Sequence, residues 1–229
     1  MAQAEEEAGG RGRAGASARA EYERRQARDE ARRRAVFGPL APVVRFIAGP
    51  KPSTEAWGRG AAGEERVGHW LDEAVRGRGL VLHDRALPHG RANIDHLAVV
   101  PSGVWVIDTK HMRGRLERRD VGGRFVAHPR LFVAGRDQSP LVTSARRQQA
   151  QVAEALVVEE PAGGPPVRVA LCFTGAQVGL FARPFTLEGV LVTWPWAFAA
   201  TLAARGSVGP AERRALAARL ARTFPAYPA

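Results

Sequence analysis

The segment from residue 94 to 108 reads IDHLAVVPSGVWVID, and it constrains the fold more than any other part of the chain. Two β-branched, apolar runs of strand length flank the turn signal Pro101-Ser102-Gly103, which is typical of a β-hairpin. Both faces of this hairpin are mainly apolar, as in a central strand pair that is covered on both sides. We expect one face to carry Leu97, Val99, Val104 and Val106, and the other to carry Ile94, Ala98, Val100, Trp105 and Ile107.

The turn also determines which polar residues face each other. If the loop has two residues, Val100 pairs with Gly103, and counting outward from that pair puts Asp95 opposite Asp108. Their β-carbons would then lie roughly 5 Å apart. A left-handed Gly103 would allow a bulge that slips the register by one residue. Because both faces are apolar, the pattern leaves that alternative open.

Polar side chains gather at the open end of the predicted hairpin. Side chains alternate along a strand, so Asp108 and Lys110 share a face and Asn93 joins Asp95 on the same side. Two facing carboxylates repel, and either one takes up a proton or both share a cation. Hard oxygen ligands suit Mg²⁺ or Mn²⁺, and a neighbouring lysine can stabilise charge on a phosphate. A structural ion pair between Asp108 and Lys110 is an equally good interpretation of the hairpin alone.

Lysine is rare in this basic chain. Of 34 basic residues only Lys51 and Lys110 are lysine, so arginine supplies almost every other positive charge. A lysine kept beside Asp108 indicates that the compact ammonium is needed there. The net charge of +11 and the pI near 11.3 favour polyanionic partners such as nucleic acid.

Other features limit the class of protein. Cys172 is the single cysteine, which excludes an intrachain disulfide and a zinc site built from clustered cysteines. The charged, alanine-rich start contains no apolar segment, so we predict no signal peptide and expect a cytoplasmic protein. The apolar stretch 189–204 is short for a membrane span and is interrupted by Trp194-Pro195-Trp196, which favours a strand that continues into a helix.

Four short segments occur in order between residues 58 and 175. They are GAAGEERV around Glu64, the strand with Asp95, the strand GVWVIDTK with Asp108 and Lys110, and the Ser139-Pro140 helix with Gln148. Together they resemble the nuclease-related domain (NERD) family, a branch of the PD-(D/E)XK restriction-endonuclease-like superfamily. Asp108 stands where this family more often has glutamate. Each segment alone is common, but four in order are fairly specific.

The resemblance implies a metal-dependent nuclease that hydrolyses phosphodiester bonds of nucleic acid, with DNA as the expected substrate. In this interpretation Asp95 and Asp108 hold Mg²⁺ (or Mn²⁺), and Glu64 assists as a further metal ligand, directly or through water. Lys110 positions or activates the attacking water, and Gln148 orients a water or a phosphate. All five residues are therefore candidate catalytic residues.

Less specific interpretations remain for several of these positions. Glu64 also fits a carboxylate placed near a helix N-terminus, and Glu65 fits a solvated neighbour. Gln149 is adjacent to Gln148, which we prefer because of its helical spacing to Val152. His96 lies on the opposite face from Asp95, so we expect a packed, hydrogen-bonded histidine.

After Gly114, turn residues and short apolar clusters predict one or two hairpin strands that extend the sheet. Arg115, Arg118 and Arg119 decorate them and are candidate nucleic-acid contacts. Such a basic rim can follow a phosphate backbone, although a run of charge is usually just a solvated face.

The predicted fold is α/β, with a restriction-endonuclease-like core in which helices flank a central mixed β-sheet, and with a charged N-terminal arm that is helical or disordered. The predicted domains are an Ala/Arg/Glu-rich arm (1–35), a linker or packing segment (36–57), the NERD-like core (58–175), and a C-terminal strand and helices packed on the core (176–229). Within the core we expect a helix at 60–77, strands at 80–86, 92–100 and 103–110, a helix at 140–158 and a parallel strand at 167–173.

Two other classes of function fit the same residues. The first is a catalytically inactive nucleic-acid-binding module, whose basic side chains bind phosphate without cleavage. The second is a structural or interaction protein, whose carboxylates form ion pairs and whose charged arm binds a partner.

Overall fold

The computed structural model describes residues 12–37, 65–88, 92–123, 126–157, 164–179 and 181–227. Glu64 and nearly all of the predicted linker, from residue 38 to 57, lie outside these ranges. The helices are α1 (Ala16–Phe37), α2 (65–75 in the described part), α3 (Ser139–Val157), α4 (Pro195–Leu202) and α5 (Pro210–Thr223).

Within these ranges, ten strands form two sheets. The strands are β1 (Leu80–Ala86), β2 (Asn93–Val100), β3 (Gly103–Lys110), β4 (Gly114–Asp120), β5 (Pro129–Val133), β6 (Arg136–Asp137), β7 (Val167–Phe173), β8 (Ala176–Gln177), β9 (Phe185–Leu187) and β10 (Val190–Thr193). The larger sheet has the order β1-β2-β3-β7-β10-β9, and the smaller has the order β6-β5-β4-β8. The α/β class with a mixed sheet flanked by helices is confirmed. Among the described residues, no helix combines the length and the apolarity needed to cross a bilayer.

The hairpin of β2 and β3 has the predicted register. Val100 pairs with Gly103 and His96 with Ile107, so the loop has two residues and no slip occurs. Gly103 does have a left-handed φ of +123°, and a β-carbon there would lie 2.4 Å from the carbonyl oxygen of Pro166. The turn therefore requires glycine on two counts, backbone conformation and space.

The crossover through α3 places β7 beside β3, and the two strands are parallel as expected. β10 is in turn parallel to β7. Thr109 pairs with Cys172, and Cys172 pairs with Thr193. The carboxyl ends of β3, β7 and β10 therefore meet at one edge of the larger sheet, which we call the carboxyl edge.

The hairpin after Gly114 does not extend this sheet, and that prediction is wrong. β3 already has β2 on one side and β7 on the other, so neither of its edges is open to the next strand. β4 instead pairs with β5 and β8 in the smaller sheet. Gly114 makes the turn between the sheets with a φ of +109°, where a β-carbon would lie 2.5 Å from that of Ala134.

Two apolar clusters cover the two faces of the larger sheet. The first combines β2 and β3 residues such as Leu97 and Val106 with α3 and α5, and the second combines residues such as Ala98 and Ile107 with α2 and α4. Burial of these side chains stabilises the sheet by roughly 25 cal/mol per Å² of apolar surface. One prediction is wrong here, because Ile94 joins the first cluster rather than the second.

The cause of that switch is a local break in the pairing of β1 with β2. Pairs form at His83–His96 and at Arg85–Ile94, but the intervening Asp84 has a left-handed φ of +48° and makes no pair. An aspartate tolerates this conformation better than most residues, since its short side chain can hydrogen-bond locally. The alternation of faces in β2 is therefore interrupted at Asp95.

The charged arm contains a long helix, α1, whose beginning is packed against the domain. Ala14, Ala16 and Ala18 are buried, and a β-carbon on Gly12 would lie 2.2 Å from the carbonyl oxygen of His83. Small residues allow this close approach of backbone to backbone. The arm is thus attached to the domain at the first turn of α1.

Candidate active site

Side chains alternate along β3, so Asp108 and Lys110 lie on one face at the carboxyl edge. There the ammonium of Lys110 pairs with Asp108 Oδ1. The Asp108 side chain is 5% exposed and that of Lys110 is 28% exposed. Burial reduces solvent screening, so a charge that approaches this pair is felt more strongly than on an open surface.

Asp95 lies beside this pair at the start of β2. The β2–β3 ladder ends at His96 and Ile107, and beyond it Asp95 Oδ2 accepts a hydrogen bond of 2.7 Å from the backbone amide of Thr109. Thr109 is the residue between Asp108 and Lys110. The structure therefore brings the Asp95 carboxylate to the backbone between Asp108 and Lys110 at the carboxyl edge, although the strand pairing ends one residue before Asp95 and Asp108.

Gln148 of α3 reaches the same end of β2. Its Nε2 donates to the carbonyl oxygen of Asn93 at 3.3 Å, while its Oε1 is buried and has no hydrogen-bond partner among the described residues. Gln149 instead donates to the carbonyl oxygen of Val167, which pairs with Val104 at the opposite end of β3. The structure thus favours Gln148 over Gln149 as the glutamine of this site.

Asn93 does not join Asp95 as the alternation of side chains predicts. Its amide donates to Asp84 Oδ1 at 2.8 Å and to Ser17 Oγ at 2.9 Å. The backbone amide of Ser17 donates to Asp84 Oδ2 at 2.6 Å. Asp84 therefore binds the first turn of α1, where a carboxylate also interacts favourably with the helix dipole. The physical reason for the difference is the same break in pairing at Asp84.

His96 is buried and hydrogen-bonded, as expected. Its Nδ1 lies 2.9 Å from Nδ1 of His83, and Nε2 of His83 lies 3.3 Å from both carboxylate oxygens of Asp72. Burial lowers the pKa of His96 well below its ordinary value, and the neighbouring His83 lowers it further. His96 is therefore neutral at physiological pH.

Sequence reasoning passed over His111, the residue that follows Lys110. Its Nδ1 lies 3.0 Å from Thr174 Oγ1, and the backbone amide of Thr174 donates to the carbonyl oxygen of Lys110 at 3.1 Å. A histidine directly after an acidic-x-Lys segment at a strand end is the signal that would have pointed to it. His111 adds a polar ring to the carboxyl edge.

The three arginines predicted to contact nucleic acid lie on β4 of the smaller sheet and not at the carboxyl edge. Arg115 and Arg119 both form ion pairs with Glu117, and Arg119 also lies over the ring of Phe132. Arg118 lies near Asp120, whose pKa is lowered by hydrogen bonds from the backbone amides of Gly122 and His128 and, to a smaller extent, by Arg118. These arginines form a basic rim whose charge is partly neutralised within the sheet.

The donors at the carboxyl edge fit a hard divalent cation. No group of three or more His, Cys, Asp or Glu side chains suited to a metal occurs in the described part of the chain, and Glu64 lies outside it. Mg²⁺ takes only one or two protein carboxylates and keeps several waters. The carboxylates of Asp95 and Asp108 at this edge and the unsatisfied oxygen of Gln148 are donors of the kind that such an ion would take.

Comparison with known families decides the identity of the domain. The family model described as nuclease-related domain matches residues 59–174, just over half of the chain. The chain belongs to the nuclease-related domain family. No curated protein and no solved structure matches it.

The NERD match accounts for the resemblance seen in the sequence and agrees with the restriction-endonuclease-like arrangement of the sheet. It contains Asp95, Asp108, Lys110 and Gln148, and also Glu64. The match ends at Thr174, before β8, β9, β10 and the last two helices. Any surface that these later elements add to the carboxyl edge is a feature of this chain beyond the NERD domain.

Proposed function

We propose that this NERD protein is a metal-dependent nuclease that hydrolyses phosphodiester bonds of nucleic acid, with DNA as the expected substrate, at the carboxyl edge. The observation that carries the proposal is the shielded pair of Asp108 and Lys110 with the Asp95 carboxylate bound to the residue between them. Membership of a nuclease-related family and the net charge of +11 agree with a phosphate-containing substrate.

Asp95 and Asp108 would hold the divalent cation, with Mg²⁺ or Mn²⁺ as the expected ion. Glu64 stays a candidate third ligand, directly or through water. When bound, the cation would polarise a phosphoryl oxygen and lower the pKa of a coordinated water.

The other residues act on the substrate and the water. Lys110 would use its ammonium, fixed by Asp108, to stabilise the negative charge that grows on the phosphate oxygens as water attacks. Its position also suits orientation of that water. Gln148 would accept a hydrogen bond from a water through its unsatisfied Oε1.

Hydrolysis at this site forms one bond and breaks one. The oxygen of water bonds to phosphorus, and one phosphorus–oxygen ester bond breaks. One strand ends in a phosphate monoester and the other in a sugar hydroxyl. One hydrogen of the water ends on that hydroxyl, and the other is released as a proton.

An Asp108→Asn variant tests the proposal, since asparagine keeps the size and a hydrogen-bond acceptor for Lys110 but loses the negative charge. Loss of several kcal/mol of electrostatic stabilisation corresponds to a rate decrease of about 1,000-fold or more. We would measure cleavage of single- and double-stranded DNA and of RNA across a Mg²⁺ and Mn²⁺ titration, together with metal binding by calorimetry.

Glu154→Gln is the matched control, because it removes an exposed carboxylate from α3. Glu154 is remote in sequence from β2 and β3, the strands that carry Asp95 and Asp108. We expect wild-type rates from this variant and no cleavage by any variant in EDTA. Full cleavage by Asp108→Asn would overturn the assignment. Salt-dependent binding that EDTA leaves unchanged, without products at any metal concentration, would favour the inactive nucleic-acid-binding module instead.

A further inference from the structure

An exposed tryptophan stands beside a buried one at the start of α4. Trp196 is 65% exposed, whereas Trp194 is 3% exposed. Their ring centroids are 5.4 Å apart, with the ring planes inclined at 59°. The Trp196 ring is therefore packed on one side and open on the other, so one of its faces is available for stacking.

This surface lies at the same edge of the sheet as the candidate active site. Thr193, Cys172 and Thr109 are neighbours across β10, β7 and β3. Trp194 is the next residue after Thr193, just as Lys110 is the next after Thr109. Two strand spacings of about 4.8 Å separate β10 from β3, which places these two positions roughly 10 Å apart along the edge.

The Trp194 and Lys110 side chains share a face of the sheet, whereas α4, which begins at this edge, continues over the opposite face through Phe198 and Leu202. Trp194 belongs to the first apolar cluster together with Val104 and Val106. The alternation of β3 continues from these valines to Asp108 and Lys110, whose ion pair lies on the same side.

The part of α4 that carries Trp196 is held in place by its neighbours. Pro195 occupies the first position of α4 and restricts the backbone, and Trp194 is buried against Trp196. Phe198 anchors the same helix by an edge-to-face contact with Trp105 of β3, with ring centroids 5.4 Å apart. An aromatic ring with few conformations loses little entropy when a ligand stacks on it.

We propose that Trp196 is a stacking platform for an unpaired base of the nucleic-acid strand that is cleaved at Asp108 and Lys110. This inference rests on the proposed nuclease function and narrows its substrate to single strands or to duplexes with unpaired ends. The roughly 10 Å between the Lys110 and Trp194 positions corresponds to about three base steps at the ~3.4 Å rise of stacked bases, so a strand that reaches Trp196 spans at least that number. Every base has an aromatic face, so such a platform tolerates any sequence.

Charge favours a nucleic-acid strand over an apolar protein partner at this surface. The first turn of α4 carries no acidic residue. Exposed Arg113 follows the end of β3, and exposed Arg183 precedes β9, whose Phe185 pairs with Val192 of β10. These arginines flank the approach to the carboxyl edge and suit the phosphates of a strand that passes from Lys110 to Trp196.

The test compares Trp196→Leu, which keeps an apolar side chain but loses the ring, with Trp196→Phe, which keeps a ring. Binding of a fluorescent single-stranded 12-nucleotide DNA would be measured by anisotropy in EDTA, so that no cleavage occurs. A stacked base contributes ~1–3 kcal/mol, so we expect Trp196→Leu to weaken binding about tenfold and Trp196→Phe to restore most of it.

A series of strands with one abasic sugar moved along the sequence supplies a readout that a merely structural role would not change. For the wild-type protein, an abasic sugar at one position of the strand should weaken binding. For Trp196→Leu, an abasic sugar at that same position should have no effect. Blunt duplex should bind equally well to both proteins.

Equal binding of the single strand by wild type and Trp196→Leu would overturn the platform, as would an abasic penalty that persists in the variant. A change in self-association instead of DNA binding would show that Trp196 belongs to a protein interface and would also overturn it. The nuclease proposal fails by a different result, full cleavage by Asp108→Asn, so the two failures are distinguishable.

Discussion

The carboxyl edge of the larger sheet and the basic rim of the smaller sheet both carry charged side chains, but they hold them differently. The carboxyl edge has only a few charges, but they are shielded from solvent and held in place: Asp108 is paired to Lys110, and Asp95 is bound to a backbone amide. On the rim, Arg115 and Arg119 are exposed and share Glu117. In a chain this rich in arginine, the number of charges therefore says less about function than their burial and their partners.

The largest expected difference concerns the two hairpin turns. Gly103→Ala should destabilise the protein by roughly 3 kcal/mol, because its φ is +123° and a β-carbon would lie 2.4 Å from a backbone oxygen. Gly123→Ala, in the rim hairpin, should change stability by less than about 0.5 kcal/mol, since a β-carbon there would meet no atom of the described residues within 4 Å beyond its chain neighbours. Urea unfolding measures both values. Similar losses from the two variants would contradict the idea that only the site hairpin is tightly constrained.

The next difference concerns two histidines and pH. Burial lowers the pKa of His96, so the unfolded chain takes up a proton at a higher pH than the folded protein does. The stability associated with neutral His96 is present above pH ~6.5 and falls as the pH decreases, by up to about 1.4 kcal/mol per pH unit. His83 is the titratable group that faces His96, and Asp72 lies on the far side of His83.

Unfolding free energies at pH 7.0, 6.0 and 5.0 test this expectation. His96→Asn should reduce the pH dependence, whatever its effect on absolute stability. His128→Asn, which changes an exposed rim histidine, should leave the pH dependence as it is in the wild type. Unchanged slopes in both variants would show that His96 is not the group responsible.

The smallest expected effect concerns the rim. Glu117→Gln removes the carboxylate that Arg115 and Arg119 share, so both guanidinium groups gain freedom to bind phosphate. If the rim contacts nucleic acid, binding should strengthen, and the slope of log K against log[salt] should steepen by about 0.9 for each added phosphate contact. Anisotropy titrations at several salt concentrations give this slope. No change would indicate that the rim is a solvated face and that the carboxyl edge alone determines binding.

Much of the larger sheet could be predicted because its signals are local. The bounds of β1, β3 and β7 follow from apolar runs that end at turn residues, and Val100 pairs with Gly103 because the loop between them is short. The position of Asp108 and Lys110 then follows from the alternation of side chains in β3.

The features that were missed depend on contacts distant in sequence. The second sheet arises because β7, more than 50 residues later, occupies the edge of β3 that the next hairpin would have needed. The left-handed Asp84 lies within β1, whose sequence LVLHDRA contains no glycine, proline or asparagine to signal it, and its partner Ser17 is 67 residues away. Trp196 looked like an interruption of an apolar stretch, since its exposure and its neighbours are visible only in the folded chain.

The outer strand β1 shows how far the folding unit extends. Segments on both sides of the NERD match bind to β1. Ser17, which precedes the match, binds Asp84. Ala226 and Tyr227 follow the match: Ala226 forms a β-bridge with Arg85, and the Tyr227 amide donates to the carbonyl oxygen of Asp84. A polypeptide trimmed to residues 59–174 would leave an open strand edge, which invites pairing between molecules. During synthesis, β1 stays unprotected until residues beyond 223 leave the ribosome, so the sheet that carries the site is completed only then.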